Sequence, residues 1–357
     1  MALKYAIFGA GDIGCTVGIA LAASGVPVSL IGRDSPTGAA LQQTAHSAGA
    51  SVVHTKSRWK HTLSALECSN TFTTDVARLA QADVIMIATK RSQNQEAANA
   101  IAKHARGSCT IVLLQNGLSV ADEIRSMLPE GARGVVLVEC VVSMNAVRKV
   151  GPDGATFVWT SPRDKSNPAF MLAEQGAAVA AAMDGAGLIA ASTATLQDVA
   201  HAKMILNCGM NAINALSGRT TQECLRDPGY RRLMLAAMEE VVAVYTKAGI
   251  SYDKKGVLKF VKFARLPSPL VWLATALLLD ASARSSMWSD LEHNRKTEVD
   301  YLNGLAAKMG QQHGVPTPIN ARLVERVHSA EKAAAGHPCA SAEALAEGIL
   351  PPLAAAG

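Results

Sequence analysis

The hexapeptide G-A-G-D-I-G at positions 9–14 constrains this chain more than any other feature. A short apolar run, residues 3–8, leads straight into it. Ile13, Val17, Ala20 and Leu21 then repeat at helical spacing until Ser24 and Gly25 stop the pattern, and residues 28–31 read as a second apolar strand. Strand, glycine-rich turn, helix and strand within about thirty residues is the unit that binds a dinucleotide. The spacing predicts a division of labour. Gly9 makes the turn, Gly11 admits a pyrophosphate against the backbone, and Gly14 lets helix and strand pack closely. Ala10, Asp12 and Ile13 complete the turn, and the helix N-terminus faces the anion. The competing reading, a glycine loop of purely structural purpose, does not account for the flanking strands.

The residues just after the second strand select the cofactor. An NAD site places a carboxylate there to hold the ribose 2′-hydroxyl. This chain has Gly32 and Arg33, a guanidinium able to pair with a 2′-phosphate, and Asp34 comes one position later. The pattern predicts NADPH over NADH. A solvated loop charge is the bland alternative for Arg33.

Further along, a helix is expected near residues 38–49 and a short strand at Val52-Val53. Residues 83–88 (D-V-I-M-I-A) form a continuous apolar strand ending in Thr89-Lys90, helical sequence fills 93–106, and 110–114 is another buried strand ending in Gln115-Asn116-Gly117. Ligands in an open α/β sheet bind outside the carboxyl ends of the strands, so Lys90 and Asn116 point to the same crevice as the glycine turn. Taken singly, Asn116-Gly117 is an ordinary turn dipeptide and Lys90 a solvated charge. Residues 134–142 and 155–160 read as strands at the far edge of the sheet, and alanine-rich 171–187 as the helix that closes the domain.

Beyond Thr195 the strand signals stop. Helices are expected over 196–215, 230–248, 256–263, 270–280 and 287–312, the last broken near Asn294, and over 321–335. The division is therefore a Rossmann-type domain (1–190), a helical domain (195–335) and a loosely held tail (336–357). On the first helix Lys203, Asn207, Asn211 and Asn214 share an arc of about 80°, at roughly 100° per residue, and most of the remaining wheel is apolar. Buried amides and ammoniums need partners, either a neighbouring loop or a small polar ligand. Thr297–Asp300 has capping-box character and opens a helix, on which Glu298, Leu302, Leu305 and Met309 recur at i, i+4, i+7 and i+11. The helix dipole favours an acid in that first turn but not on its apolar side, where a raised pKa is expected. Ser286 stands near a helix start, where serine is ordinarily a cap.

Composition bounds the rest. At 357 residues, 49% hydrophobic and 18% charged, the chain can bury two cores. Its net charge of +5 comes from scattered basic residues, and with 4% aromatics this excludes a nucleic-acid surface. Seven dispersed cysteines without metal-ligand spacing read as reduced thiols in a cytoplasmic protein that needs no metal. The first residues enter a strand at once, leaving no room for a signal peptide, and the longest apolar run, 270–279, is too short to span a bilayer.

In order and spacing these motifs resemble the ketopantoate reductase (2-dehydropantoate 2-reductase) family. The likeness runs from Leu3 to about Glu331. It is carried by G-A-G-D-I-G at 9–14, T-K at 89–90, L-Q-N-G at 114–117, K-M-I-L-N-C-G-M-N at 203–211, S-S-M-W-S-D at 285–290 and T-E-V-D-Y-L-N-G at 297–304. The resemblance implies an α/β Rossmann-type domain followed by an all-α domain, the 6-phosphogluconate-dehydrogenase-like arrangement, with substrate between them. It implies NADPH-dependent reduction of a small 2-keto acid, first of all ketopantoate to pantoate for coenzyme A synthesis, and a homodimer through the helical domain. By the same likeness Lys203 is the general acid and Glu298 assists it. Asn116, Asn207, Asn211 and Ser286 bind substrate, and Lys90 and Asn116 stand where cofactor and substrate meet. The chain departs from the family at His201, where Trp is usual, and at Ala212, where Pro is usual. Residues 253–283 look enlarged and carry Lys254, Lys255, Lys259, Lys262 and Arg265. These departures leave room for another branched 2-keto acid, or for an opine-type dehydrogenase working through His201. The non-enzyme alternative is an NADP(H)-sensing regulator, which needs the glycine turn and Arg33 but not Lys203 or Glu298.

Overall fold

The computed structural model of the chain describes residues 3–55, 57–132, 134–160, 168–281 and 283–351. It divides into two compact units, Met1–Leu196 and Gln197–Gly357. The last residues of the expected tail, 352–357, and Ser282 of the enlarged segment lie outside the described residues.

In the first unit the chain runs through β1 (Tyr5–Phe8), α1 (Asp12–Ala23), β2 (Val28–Ile31), α2 (Pro36–Ala48), β3 (Ala50–His54), β4 (Lys60–Leu63), α3 (Ala65–Thr71) and β5 (Phe72–Thr73). Next come β6 (Val84–Ile87), α4 (Asn94–His104), β7 (Thr110–Leu113), α5 (Val120–Met127), β8 (Val136–Val142), β9 (Asn145–Gly151), β10 (Gly154–Thr160), β11 (Phe170–Ala173), α6 (Ala177–Gly185) and β12 (Ala190–Thr193). Eight strands form the main sheet in the order β12-β11-β8-β7-β6-β1-β2-β5. From β5 to β8 neighbouring strands are parallel, which is the doubly wound arrangement with β1 at its centre.

β1 and β6 are buried at every position because both faces of the sheet are covered. Tyr5 and Ile7 join a core with α1, while Ala6 and Phe8 join a second core with α4 and α5. α1 in turn packs against a second sheet, of order β4-β3-β10-β9. Covered on both sides, its residues from Gly14 to Leu21 are all buried, so the helix shows no polar stripe.

Two expectations about the far edge are corrected here. β10 does not extend the main sheet; it pairs with β3 and β9 in the second one. Its inward residues Ala155, Phe157 and Trp159 alternate with half-buried ones, the pattern of a sheet covered on one face. The true edge is β11 and β12. Residues 171–173, read as the start of a helix, form a strand because Phe170–Leu172 pairs antiparallel with β8. A short apolar run does not distinguish strand from helix by itself, and the open edge of β8 decided it.

The second unit is helical: α7 (Leu196–Ser217), α8 (Thr221–Arg226), α9 (Pro228–Ala248), α10 (Lys254–Ala264), α11 (Ser268–Leu278), α12 (Ser286–Glu292), α13 (Asn303–His313), α14 (Pro318–Ala333) and α15 (Ala342–Ala346). α7 and α9 approach closely at Gly209, where a Cβ would lie 2.6 Å from Met238 Cγ. The break near Asn294 is present, with that residue in the left-handed region at φ 50. The enlarged segment forms α10 along α9 and α11 across α8. Arg265 pairs with Glu239, and the Arg226 guanidinium lies over the Trp272 ring at 3.6 Å.

The described part of the expected loose tail, residues 336–351, is corrected as well. The Ala340 amide donates to the Leu216 carbonyl, Tyr230 Oη donates to the Ala340 carbonyl, and Leu345 is buried. The short helix α15 packs against α9 and α14. Among the described residues no helix is long and apolar enough to cross a membrane.

Candidate active site

In the first unit the glycine turn lies at the centre of the main sheet, where the strand order reverses between β1 and β6. Gly9 takes φ +116, a conformation L side chains rarely adopt, and a Cβ there would sit 2.9 Å from the Ala88 carbonyl carbon. A Cβ on Gly14 would lie 2.0 Å from the Gly9 carbonyl oxygen. Both glycines are therefore demanded by the protein's own packing. Gly11 is not. It precedes α1 with no side-chain cap, and nothing lies within 4 Å of where its Cβ would be. Open space beside an uncapped helix N-terminus fits the pyrophosphate of a dinucleotide. Ala10 and Ile13 pack against the core below the turn. Asp12 opens α1, and its carboxylate lies 3.6 Å from Arg148 Nε on β9.

Two loops beyond the strand ends are sewn together by buried polar groups. Gln115 Nε2 donates to the Thr89 carbonyl (2.8 Å) and to Asn94 Oδ1 (2.7 Å). Asn94 Nδ2 donates to Glu123 Oε1, Glu123 pairs with Arg91, and Arg91 also donates to the Leu118 carbonyl. Buried hydrogen bonds of this kind fix backbone position, although Gln115 Oε1 is itself left without a partner. These bonds hold the loops that carry Lys90 and Asn116, both half-buried. Sequence reasoning missed Arg91, Asn94 and Glu123, whose partners are distant in the chain. Arg33 is exposed just before α2, beside the equally exposed Asp34. Its carbonyl accepts from the Ser35 amide, and Ser35 caps α2.

In the second unit α7 is buried over most of its surface. Lys203, Asn207 and Met210 are half-buried along one line, and Asn211 lies at its edge. Asn214 does not share this opening. It is 1% exposed, and its Oδ1 accepts from the Thr221 hydroxyl, so it is part of the scaffold. His201 is occupied as well: its Nδ1 lies 2.8 Å from the Ser251 carbonyl and its ring meets Tyr245 edge-on.

The cap of α12 is Ser285, not Ser286. Ser285 Oγ accepts from the Trp288 amide and donates to the Asn211 carbonyl at 3.2 Å. That bond brings the start of α12 to α7 and leaves Ser286, the first residue of the helix, exposed next to it.

Glu298 requires a correction. Residues Val299–Tyr301 form a single 3-10 turn, Leu302 breaks the path at φ −117, ψ −95, and α13 begins only at Asn303. The expected capping box is absent, because the Thr297 hydroxyl accepts from Val299 and the Thr297 amide donates to Glu331. The periodicity through Leu302 therefore does not extend to Glu298, which is half-buried at the turn and not aligned on a helix face. What positions this turn is Asn303. Its Nδ2 donates to the Cys208 carbonyl of α7 and to Asn320 Oδ1 (both 2.9 Å), and Asn320 donates to Glu240. Burial raises the Glu240 carboxyl above its ordinary range, against the lowering effect of the Asn320 and Ile319 amides. Among the described residues no group of three or more His, Cys, Asp or Glu could hold a metal ion.

A doubly wound sheet with this turn at its switch point, joined to an all-helical unit, defines a two-unit dinucleotide-binding protein. The family model for ketopantoate reductase PanE/ApbA matches residues 5–156, and that for ketopantoate reductase PanE/ApbA C terminal matches 195–331. The chain is an oxidoreductase, and it belongs to the ketopantoate reductase family. The 2-dehydropantoate 2-reductase of Halobacterium salinarum is 25% identical over 336 residues, 92% of this chain and 99% of the relative. The fold is shared with a crystal structure of a PanE/ApbA family ketopantoate reductase from Ralstonia eutropha JMP134 (TM-score 0.71, 24% identity, covering 93% of this chain and 99% of that one). It is shared also with D-mandelate dehydrogenase in complex with NADH and anilino(oxo)acetate (TM-score 0.70, 20% identity, covering 93% and 99%).

Proposed function

We propose that this chain reduces a 2-keto acid with NADPH, ketopantoate first among the candidates, in the cytoplasm and as a homodimer through its helical unit. The observation that carries the reading is the line of Lys203, Asn207 and Asn211 along the open edge of an otherwise buried helix, with Ser286 delivered beside it by the bond from Ser285 to the Asn211 carbonyl. A bound nicotinamide dinucleotide supplies the hydride. Gly11 and the N-terminus of α1, in the turn shaped by Gly9 and Gly14, receive its pyrophosphate, Arg33 selects its 2′-phosphate, and Lys90 and Asn116 orient its nicotinamide end. The Lys203 ammonium gives its proton to the substrate's carbonyl oxygen as negative charge develops there, and its charge stabilises that oxygen beforehand. Asn207, Asn211 and Ser286 orient the acid by hydrogen bonds, and Glu298 assists Lys203. Lys203 is only half-buried, so water can restore its proton.

The likeness to D-mandelate dehydrogenase favours one second reading, a 2-keto acid other than ketopantoate. The opine-type alternative is weakened because His201 is already held by Ser251 and Tyr245. The test is NADPH oxidation against a panel of 2-keto acids, with NADH as control and Lys203→Ala alongside. We expect ketopantoate to be reduced fastest and Lys203→Ala to lower kcat by about 100-fold or more while leaving the NADPH Kd unchanged. NADPH binding without oxidation by any keto acid would favour the sensor and end the enzymatic reading.

A further inference from the structure

An acid in the glycine turn poses an electrostatic problem. Asp12 is the first residue of α1, where the helix dipole favours a carboxylate. A pyrophosphate binds at that same positive end, so the two anions compete unless the carboxylate's charge is cancelled. The cancelling charge comes from a remote part of the chain. β9 is an edge strand of the second sheet, and Asn145, Val147 and Lys149 are exposed along it while Ala146 and Arg148 turn inward. Arg148 stands opposite Phe157 of β10, which is fully buried. Its side chain is 25% exposed, and its guanidinium reaches the amino end of α1 at 3.6 Å from Asp12 Oδ1. An inward-facing arginine costs stability unless it is paired, and here the pair falls in the turn itself.

We propose that Arg148 is a positioning residue for the cofactor's pyrophosphate, holding the Asp12 carboxylate so that the uncapped end of α1 is left to the incoming anion. The proposal rests on the dinucleotide reading of the turn. Because the pyrophosphate is common to both nicotinamide cofactors, Arg148 acts on NADPH and NADH alike, unlike Arg33.

The experiment measures NADPH and NADH dissociation constants by nucleotide fluorescence for Arg148→Gln, Arg148→Lys, Asp12→Asn and the double variant Asp12→Asn/Arg148→Gln, with a thermal melt of each. Arg148→Gln is expected to weaken both cofactors about tenfold and by the same factor, and Arg148→Lys to retain most of the affinity. With Asp12 already neutral, replacing Arg148 is expected to change Kd by less than about twofold. A purely structural ion pair would lower the melting temperature but leave both dissociation constants unmoved, and that result would overturn the proposal. So would a full tenfold loss in the Asp12→Asn background, including when Arg148→Gln alone does not fold. Failure of the wild-type chain to bind either nucleotide would overturn the dinucleotide reading itself.

Discussion

Asn303 Nδ2 donates to the Cys208 carbonyl at 2.9 Å, which fastens the start of α13 to the middle of α7. The acceptor lies one residue beyond Asn207, so the turn that carries Glu298 is tied to the helix that carries Lys203. Behind it the chain of amides passes through Asn320 to Glu240 and fixes α14 and α9 at the same point.

Replacing Asn303 by Leu removes both donors and leaves the buried Asn320 oxygen without that partner. We expect a loss of about 1–3 kcal/mol in unfolding free energy by urea denaturation, the usual cost of an orphaned buried polar group. In the folded fraction kcat/KM for the keto acid should fall while the NADPH Kd, set in the other unit, stays as it was.

Arg33 offers a test confined to the cofactor. Arg33→Ala should raise the NADPH Kd about 10- to 100-fold, the worth of one or two charge-assisted hydrogen bonds, and change the NADH Kd by less than about twofold. Equal effects on the two nucleotides would place the 2′-phosphate elsewhere.

The capping box at the start of α8 makes stability depend on pH. The Thr220 amide (2.7 Å) and hydroxyl (2.9 Å) donate to Glu223 Oε2, and these bonds, with the fields of Arg219 and Arg284, hold the carboxyl below its ordinary value of 4.5. Since the folded pKa is the depressed one, the stabilisation is present above the ordinary value and is lost as pH falls through the folded one. Glu223→Gln should therefore melt lower than the parent at pH 7, with the gap closing in acid. Thr220→Ala, which removes the other half of the box, should cost about 1 kcal/mol at neutral pH.

Thiol reactivity tracks burial. Six of the seven cysteines are buried and only Cys339 is exposed. Burial pushes the thiols of Cys15, Cys109, Cys208 and Cys224 up, and that of Cys68 to about 11. A thiolate is the reactive form, so a disulfide reagent such as dithionitrobenzoate should modify one thiol per chain rapidly and the other six only in denaturant. Blocking Cys339 should leave NADPH affinity unchanged.

What could be read along the chain was local. Gly9 and Gly14 declare a turn and a close helix contact through residues within a few positions of them, and the 3.6-residue period of α7 sets Lys203, Asn207 and Asn211 in line before any packing is known. The same period misjudged Asn214, because a wheel shows direction but not which neighbour covers a face; α8 arrives there and buries it. It misjudged Glu298 as well, since Leu302 departs from helical dihedrals and severs the repeat. Whether β10 joined one sheet or another, and whether residues 170–173 became strand or helix, depended on which strand edge was left unpaired.

By itself the sequence determined the dinucleotide turn, the change from α/β to helical and the polar line on α7, because each is written in the dihedral preferences and spacing of neighbouring residues. Only the tertiary structure decided that Arg148 meets Asp12, that Gln115 ties two loops together and that Asn303 holds α13 to α7. Those partners are remote in the chain, and it is the competition to bury apolar surface and satisfy polar groups that brings them together.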